Sequence, residues 1–548
     1  MSRLRVPLLL LPLLMLAAVL PAQQQPSDAT RAARAVDGRV MRAHLEFLAD
    51  DLLEGRKPGA RGGELAALYI KTQFERLGLE PAGDSGSYFH RVPIISLTPS
   101  PTLTVSSNAS TDTLAYMQDY MLWSMHDAAD VEARGDLVYA GYGIVAPEYH
   151  WNDYAGLDVK GKIVVTLVND PGLQDSTIFR GSTLTYYGRW TYKIEEAERQ
   201  GAAGILMIHT DSSATYPWST VSSSWSGPQI RVARESGPLV VAGWLTHEAA
   251  ARLMGGPARL DSLTAAAARP GFRGVALGNS AEAHVHSDVR RAQTFNVVAR
   301  LPGHGPHKAQ AVLIGGHYDH FGISTPVNGD SIYNGAEDNA SGTGAVLAVA
   351  EAMVRSGVRP DRSIMFIGFA AEEAGLLGST AFAARPTLPI KDIAAVLNMD
   401  VMNVHGASRD VGALGLDQSS LGATFRRAAQ AERLSVAVNP EALRTGAFFR
   451  SDHFPFARAG VPSLSLEGPT RFVGKPADYA RTLADDYTAH RYHQPSDEVL
   501  PDFDYTGAVQ QMRVITRAAL LVANAAAMPT WSATSEFREA GEARAHTD

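Results

Sequence analysis

From Thr294 onward, apolar strand patterns alternate with helix patterns, and this alternation restricts the fold more than any other feature of the chain. The strand patterns cover residues 296–301, 311–315, 363–369, 394–398 and 461–466, and the main helix patterns cover 343–356 and 506–527. Parallel strands need a crossover between them, usually a helix, so the alternation predicts a mostly parallel sheet. We therefore predict an α/β fold in which helices cover both faces of that sheet, giving three layers.

The rest of the chain shows two other sequence patterns, one helical and one typical of short strands. Helix patterns cover about residues 39–53 and 66–77, with a Gly-rich and Pro-containing loop at 55–63 between them. Residues 100–288 instead show short alternating segments, which predict an inserted β-rich domain. The sequence thus predicts a discontinuous catalytic domain at 36–99 and 289–530, followed by a loose polar tail at 531–548.

The first 22 residues resemble a secretory leader. Arg3 and Arg5 precede an apolar run from Val6 to Leu20, which ends at Pro21-Ala22. That run is shorter than the roughly 20 residues needed to span a bilayer. We predict a signal peptide over 1–22, export to the periplasm or the outside, and no stable membrane insertion after cleavage.

Composition narrows the possible partners. The 548 residues are 45% hydrophobic and 19% charged, which suits a globular chain rather than a disordered one. The net charge of −8, without a block of like charge, argues against nucleic acid as a partner. There is no cysteine, so neither a disulfide framework nor a lipidated N-terminal cysteine is available.

Acidic and imidazole side chains follow three of the predicted strands. His317 ends one strand pattern, Glu372 and Glu373 follow a second, and Asp400 follows a third. In sheets of this class, ligands collect at the carboxyl ends of the strands. Each motif alone is more often a structural turn or a satisfied polar residue, but charged residues directly after apolar strands need partners.

Two more candidates join this set from elsewhere in the chain. Asp338 precedes the small-residue helix pattern, and His493 lies far downstream in the segment Arg491 to Asp497. Nitrogen and oxygen ligands suit zinc, and five ligands with one shared carboxylate can hold two ions about 3.5–4 Å apart. The residues therefore predict a pair of catalytic metal ions.

With these motifs in place, the chain resembles the M28 family of zinc exopeptidases, specifically secreted members with an inserted protease-associated domain. The resemblance includes the segment Leu53 to Arg56, the strand Gly161 to Val164 and all five metal-ligand positions in order. It implies the three-layer α/β/α zinc-exopeptidase fold and a peptide substrate. It also implies a cis peptide bond between Asp338 and Asn339.

The resemblance further implies a role for each site residue. Two Zn²⁺ ions would be held by His317 and Asp400 on one side, Glu373 and His493 on the other, and Asp338 between them. Glu372 would be the general base, Asp319 would orient the imidazole of His317, and Tyr492 would stabilise the oxyanion.

The leading hypothesis is a secreted dizinc aminopeptidase that removes N-terminal residues from peptides. A carboxypeptidase of the same fold is the first alternative and would need a cation for the substrate carboxylate, for which Arg189 is a candidate. A glutaminyl cyclase-like enzyme with one zinc is a second alternative. A non-catalytic binding relative is a third, although every ligand position here holds a competent residue.

Two other motifs have structural explanations. His284 and His286 could ligate a metal, but they fit the alternation of a strand leaving the inserted region. The segment Ser451-Asp452-His453 resembles part of a serine-hydrolase triad, yet the chain has no G-x-S-x-G motif. We expect this segment to support the site rather than to carry out catalysis.

Overall fold

The computed structural model describes residues 27–107, 110–214, 216–233 and 236–546. The predicted signal peptide at 1–22 lies outside these residues, so its assignment stays a prediction. Within the described part of the chain, no helix has the length and apolar character that a bilayer crossing requires.

The helices and strands follow one another in a mixed order. The helices are α1 (Asp28–Ala35), α2 (Gly38–Leu48), α3 (Arg61–Arg76), α4 (Trp190–Arg199), α5 (Asp211–Ala214), α6 (Trp218–Ser226), α7 (His247–Leu253), α8 (Pro257–Ala267), α9 (Gly342–Arg355), α10 (Leu377–Ala384), α11 (Leu421–Ala431), α12 (Pro440–Arg444), α13 (His453–Arg458), α14 (Tyr479–His490), α15 (Thr506–Ala523) and α16 (Arg538–Ala545). The strands are β1 (Glu80–Pro81), β2 (Phe89–Ser106), β3 (Thr111–Thr113), β4 (Tyr120–Ser124), β5 (Asp130–Tyr139), β6 (Val145–Ala146), β7 (Trp151–Asn152), β8 (Ile163–Leu167), β9 (Gly204–His209), β10 (Gln229–Val232), β11 (Val241–Thr246), β12 (Val275–Leu301), β13 (Ala311–His317), β14 (Gly322–Val327), β15 (Asp330–Tyr333), β16 (Ser363–Phe369), β17 (Ile393–Asn398), β18 (Asp410–Leu414), β19 (Ser435–Val436) and β20 (Ser463–Glu467).

The predicted parallel sheet forms the centre of the catalytic region. Strands β16, β13, β17 and β20 are parallel neighbours, while β12 and β18 pair antiparallel at either side of them. Successive residues of β13 alternate between two apolar layers: Val312 and Ile314 face one, and Ala311 and Leu313 face the other. Helices α9 and α15 contribute to the first layer, and α10 and α13 to the second. The α/β fold class and the three layers are therefore confirmed.

The inserted region contains helices as well as strands. Strands β5, β8, β9 and β11 are parallel neighbours, and helices α4 to α8 accompany them. The long strands β2 and β12 pair with each other and run through the predicted boundaries at residues 100 and 288. Through β12 the two regions share one continuous sheet. The domain boundaries and the assignment as a protease-associated domain stay predictions.

The Gly-rich loop at 55–63 is shorter than expected. Helix α3 already begins at Arg61 and includes Gly62 and Gly63. A Cβ atom at Gly62 would lie 1.7 Å from the carbonyl oxygen of Leu53. These glycines therefore allow α3 to pack directly against the preceding backbone, which composition alone could not reveal.

The expectation of a loose segment after Pro529 was wrong. Phe537 is only 1% exposed, and its ring packs beside Tyr186 and Phe454 at centroid distances of 5.8 and 6.4 Å. The carboxylate of Glu536 accepts the backbone N–H of Tyr186 at 2.8 Å. Phe537 and Glu536 thus anchor this polar segment against Tyr186 of the inserted region and Phe454 of the catalytic region.

Candidate metal centre

Three strands deliver their site residues to one edge of the sheet. In the parallel pairing, His317 at the end of β13 lies opposite Phe369, three residues before Glu372. Strand β17 pairs with β13 on the other side and ends at Asn398, two residues before Asp400. The geometry expected from the strand ends is therefore present.

The five predicted metal ligands converge around Asp338. One oxygen of Asp338 lies 3.3 Å from Nε2 of His317, and the other lies 3.4 Å from Nε2 of His493. Asp400 lies 3.3 Å from the same nitrogen of His317, and Glu373 lies 3.2 Å from that of His493. Each imidazole thus faces two carboxylates, and Asp338 is shared between them.

These distances fit a pair of zinc sites better than ordinary hydrogen bonds. A neutral imidazole nitrogen can donate to one acceptor at most, and good N–H···O bonds are near 2.9–3.0 Å. Two ligand atoms that each lie about 2.0–2.1 Å from a tetrahedral zinc are about 3.3 Å apart. The observed separations of 3.2–3.4 Å match that spacing on both sides of Asp338.

The two unshared carboxylates are each held by a second partner. The free oxygen of Asp400 accepts the hydroxyl of Ser451 at 2.7 Å, so Ser451 supports the site as expected. The other oxygen of Glu373 lies 2.6 Å from Nδ1 of His320. Both oxygens of Asp338 instead face imidazoles, which distinguishes it as the bridging residue.

Asp497 fixes the loop that carries Asp338. Its carboxylate accepts the backbone N–H groups of Glu337 and Asp338, both at 3.1 Å. The peptide bond between Asp338 and Asn339 is cis, as the resemblance implied. Burial raises the pKa of Asp497 to about 7. Sequence analysis missed this role, although Asp497 lies in the same segment as His493.

Asp319 supports the glutamate pair. Its carboxylate accepts the backbone N–H groups of Glu372 and Glu373 at 3.0 and 3.4 Å, while it lies 3.9 Å from Nδ1 of His317. The structure therefore brings Asp319 to the site but directs its hydrogen bonds to the next strand end. Burial raises its pKa to about 6.

Glu372 and Glu373 lie at the cluster in different electrostatic surroundings. A carboxylate oxygen of Glu372 is within 4.8 Å of ligand atoms of His317 and Asp400. Burial raises the pKa of Glu372 well above its usual range, and the charge of Glu373 adds to that rise. Burial also opposes ionisation of Glu373, but hydrogen bonds from His320 and His493 lower its pKa. Glu372 is therefore the residue better suited to hold a proton.

A buried arginine ties the N-terminal region to the site. Arg56 is fully buried and donates to the carbonyl oxygens of Tyr318, Leu48, Asn334 and Gly335. Burial lowers its pKa to about 10, and it remains a cation beside the acidic cluster. These contacts of Arg56 explain why the segment Leu53 to Arg56 is one of the motifs that carry the family resemblance.

The cluster opens into a large cavity between the two regions. The cavity has a volume of about 2440 Å³ and is lined by Glu372, Asp400 and His493, and also by Trp190 and Trp225 of the inserted region. Tyr492 is 44% exposed at its wall, and its ring stacks on His493 at 3.7 Å. The site is thus open to a ligand much larger than a single amino acid.

The motif formed by His284 and His286 lies apart from this cluster. His286 contacts Asp130 at 2.8 Å on the exposed side of β12, and His284 is 3.9 Å from the same oxygen. Neither histidine lines the cavity. Both histidines point to the solvent side of β12, as the alternation of side chains along a strand predicts.

Comparison with known proteins agrees with the geometry. Residues 296–518 match the model of peptidase family M28. The chain is 25% identical over 394 residues to a glutamate carboxypeptidase 2 homolog of Caenorhabditis elegans, covering 62% of this chain and 46% of that protein. It is 27% identical over 178 residues to leucine aminopeptidase 1 of Trichophyton rubrum, covering 31% and 46%. The chain thus spans less than half the length of either relative.

A solved structure is similar across a larger share of the chain. The aminopeptidase from Aneurinibacillus sp. strain AM-1 aligns over 90% of this chain and 96% of its own, with 19% identity and a TM-score of 0.44.

Proposed function

We propose that the chain is a secreted dizinc exopeptidase that acts as an aminopeptidase on peptides. The observation that carries this proposal is the placement of Asp338, whose two oxygens face the imidazoles of His317 and His493. A shared carboxylate between two nitrogen ligands is the arrangement expected for a pair of metal ions.

Five residues would hold the ions: His317 and Asp400 on one side, Glu373 and His493 on the other, with Asp338 shared. The chemistry that zinc supplies when bound is a lowered pKa of water and polarisation of the scissile carbonyl. Ser451 and His320 would keep Asp400 and Glu373 in their orientations, which is the usual function of residues hydrogen-bonded to ligands.

Glu372 would move the proton. Its carboxylate would accept a proton from the attacking water and donate it to the leaving amine, and its raised pKa suits both steps. The hydroxyl of Tyr492, at the cavity wall, would donate to the developing oxyanion. Glu372 is only 9% exposed, so bulk water is largely excluded from its carboxylate.

A second carboxylate in the cavity favours an aminopeptidase. Strand β20 is parallel to β17 with Ser465 opposite Asn398, so Glu467 and Asp400 leave the sheet at the same edge. Burial raises the pKa of Glu467 to about 7, and the charge of Asp400 adds to that rise. A bound ammonium group would oppose this rise in pKa by stabilising the ionised carboxylate of Glu467. The free N-terminus of a peptide carries such a group.

A carboxypeptidase is the second candidate, favoured by Arg189. This residue lines the same cavity, and its buried Nε atom has no hydrogen-bond partner among the described residues. Burial lowers the pKa of its guanidinium to about 10. A substrate carboxylate would supply the missing acceptor, and one matched relative is named a glutamate carboxypeptidase 2 homolog.

The two candidates are separated by a matched panel of substrates. Zinc-loaded protein is given leucyl and alanyl chromogenic amides with a free amine, and N-acetylated dipeptides with a free carboxylate. We expect hydrolysis of the free amines only. Hydrolysis of the N-acetylated dipeptides alone would establish the carboxypeptidase instead.

The proposal also includes export and the nature of the inserted region. The leader-like residues 1–22 support secretion to the periplasm or the outside. The pairing of β2 with β12 supports an insertion, because the chain leaves and re-enters the catalytic region along neighbouring strands. Mass spectrometry of the exported protein would test cleavage near Ala22.

A further inference from the structure

His493 is the less sheltered of the two histidines in the metal centre. The side chain of His317, at the end of β13, is 1% exposed, whereas the side chain of His493 is 32% exposed. His493 follows α14, a helix with no fully buried residue, rather than a strand of the sheet. Its backbone φ of 56° lies in the left-handed region that residues other than glycine seldom adopt. The position of this ligand therefore has to be set by its neighbours.

Arg491, two residues before His493, is buried and paired. It is 8% exposed, and its Nη1 atom donates to one carboxylate oxygen of Glu337. Its guanidinium also lies over the ring of Tyr487, 5.1 Å from the centroid. The backbone N–H groups of Arg491 and Tyr492 both donate to the carbonyl oxygen of Tyr487, at 2.9 and 2.8 Å. The chain is thus fixed at Arg491 just before it reaches His493.

Glu337, the acceptor of this ion pair, directly precedes the shared ligand Asp338. It is 3% exposed, and its second carboxylate oxygen lies 2.8 Å from Nε2 of His405. Its carbonyl oxygen accepts the hydroxyl of Ser341 at 2.6 Å, and that hydroxyl accepts the backbone N–H of Met402 at 2.9 Å. Glu337 is therefore held in the loop that carries Asp338 by contacts that do not involve the ion pair.

Burial gives the ion pair its positioning effect. An exposed pair contributes little, but a buried charge that loses its partner is costly, so Arg491 has to stay where Glu337 is. Asp497, four residues after His493, contacts the backbone of the same loop. His493 thus lies between two links to the loop of Asp338, one formed by side chains and one by backbone groups.

We propose that Glu337 and Arg491 are positioning residues, whose ion pair holds His493 at the distance from Asp338 that one of the two metal ions requires. The proposal rests on the proposed dizinc function and adds two residues to it. It predicts an asymmetric effect. His317 and Asp400 follow strands of the sheet, so their site does not depend on the ion pair, whereas the site of Glu373 and His493 does.

The test measures zinc affinity rather than activity. Metal-free protein is titrated with Zn²⁺ in competition with a chromogenic chelator, which gives a dissociation constant for each of two binding steps. We expect Arg491→Gln to weaken one step about 10–100-fold, as for other groups that orient metal ligands, and to leave the other nearly unchanged. Glu337→Gln should weaken the same step, because it removes the charge of the same pair. His493→Ala identifies that step, since it removes a ligand of the site.

The matched control is Arg481→Gln, which removes an exposed arginine of α14 whose partner is Asp485 at 3.2 Å. Both of its dissociation constants should equal those of the wild type. Arg491→Lys keeps a cation near Glu337 and should lie between Arg491→Gln and wild type. Thermal unfolding of the metal-free variants, followed by circular dichroism, distinguishes loss of positioning from loss of the fold.

Two results in a folded Arg491→Gln protein would overturn the proposal: wild-type constants for both steps, or an equal weakening of both. Should Arg491→Gln fail to fold, the same criteria apply to Arg491→Lys and Glu337→Gln. Fewer than two ions bound by the wild type would instead refute the dizinc centre, and this proposal with it.

Discussion

The two sides of the cavity are built in opposite ways. On the sheet side, the ligands that follow the strand ends are held by further groups, as Asp400 is by Ser451 and Glu373 by His320. On the other side, α14 has no fully buried residue, and the buried Nε atom of Arg189 has no hydrogen-bond partner among the residues that the structure describes. The contrast suggests that the sheet edge fixes the chemistry, while the outer wall is left to be completed by the substrate.

The strongest test of this contrast removes the shared carboxylate. We expect Asp338→Asn to reduce metal content from about two ions per chain to fewer than one and to abolish hydrolysis, because both sites lose a ligand. His493→Ala should empty one site in preference. Metal analysis after dialysis measures both variants. Full activity with one tightly held ion in the wild type would contradict the dinuclear assignment.

The next test separates two neighbouring glutamates on the sheet side. Glu372→Gln should keep both ions and slow turnover by about 10²–10⁴-fold, the usual contribution of a positioned acid–base group. Glu373→Ala should lose metal as well as rate, since its oxygen faces His493. Parallel metal analysis and kcat measurements distinguish them. If Glu372→Gln loses metal while Glu373→Gln keeps it, the two roles are reversed.

A smaller effect is expected from a residue that only positions a ligand. Asp497→Ala removes the acceptor for the backbone N–H groups of Glu337 and Asp338. We expect metal affinity to fall about 10–100-fold, as for other groups that orient metal ligands. Asp497→Asn keeps one carbonyl acceptor and should fall in between. Competition with a chelator measures the metal affinity. Wild-type affinity in Asp497→Ala would show that the loop carrying Asp338 keeps its conformation without Asp497.

The sequence predicts the sheet side better than the outer wall, for a physical reason. His317, Glu373 and Asp400 follow apolar strands, and parallel strands bring their ends together whatever the rest of the chain does. The contacts of Arg56 with Gly335 depend on chain closure over 279 residues, and no local pattern encodes them. Sequence analysis assigned no helix at 479–490, and no periodicity could have shown that this helix lines a cavity rather than a core.

The last prediction compares a buried histidine with a solvent-exposed one. His453 is fully buried beneath the sheet edge, and burial lowers its pKa to about 3. His286 is exposed, and its hydrogen bond with Asp130 raises its pKa above the usual value. Their contributions to folding stability therefore depend on pH with opposite sign.

Between the unfolded pKa of about 6.5 and the folded value, His453 binds a proton only in the unfolded chain, so acid destabilises the fold. Its contribution to the free energy of unfolding should fall by ~2 kcal/mol from pH 6.5 to 5.0, at ~1.4 kcal/mol per pH unit. For His286 the raised folded pKa gives a contribution that is complete below the unfolded pKa and is lost as pH rises through the folded pKa. Urea unfolding at the two pH values should show that His453→Leu loses less stability in acid than wild type, while His286→Asn does not share this protection. Equal acid sensitivity in wild type and His453→Leu would mean that His453 is already protonated, or solvated, in the native protein.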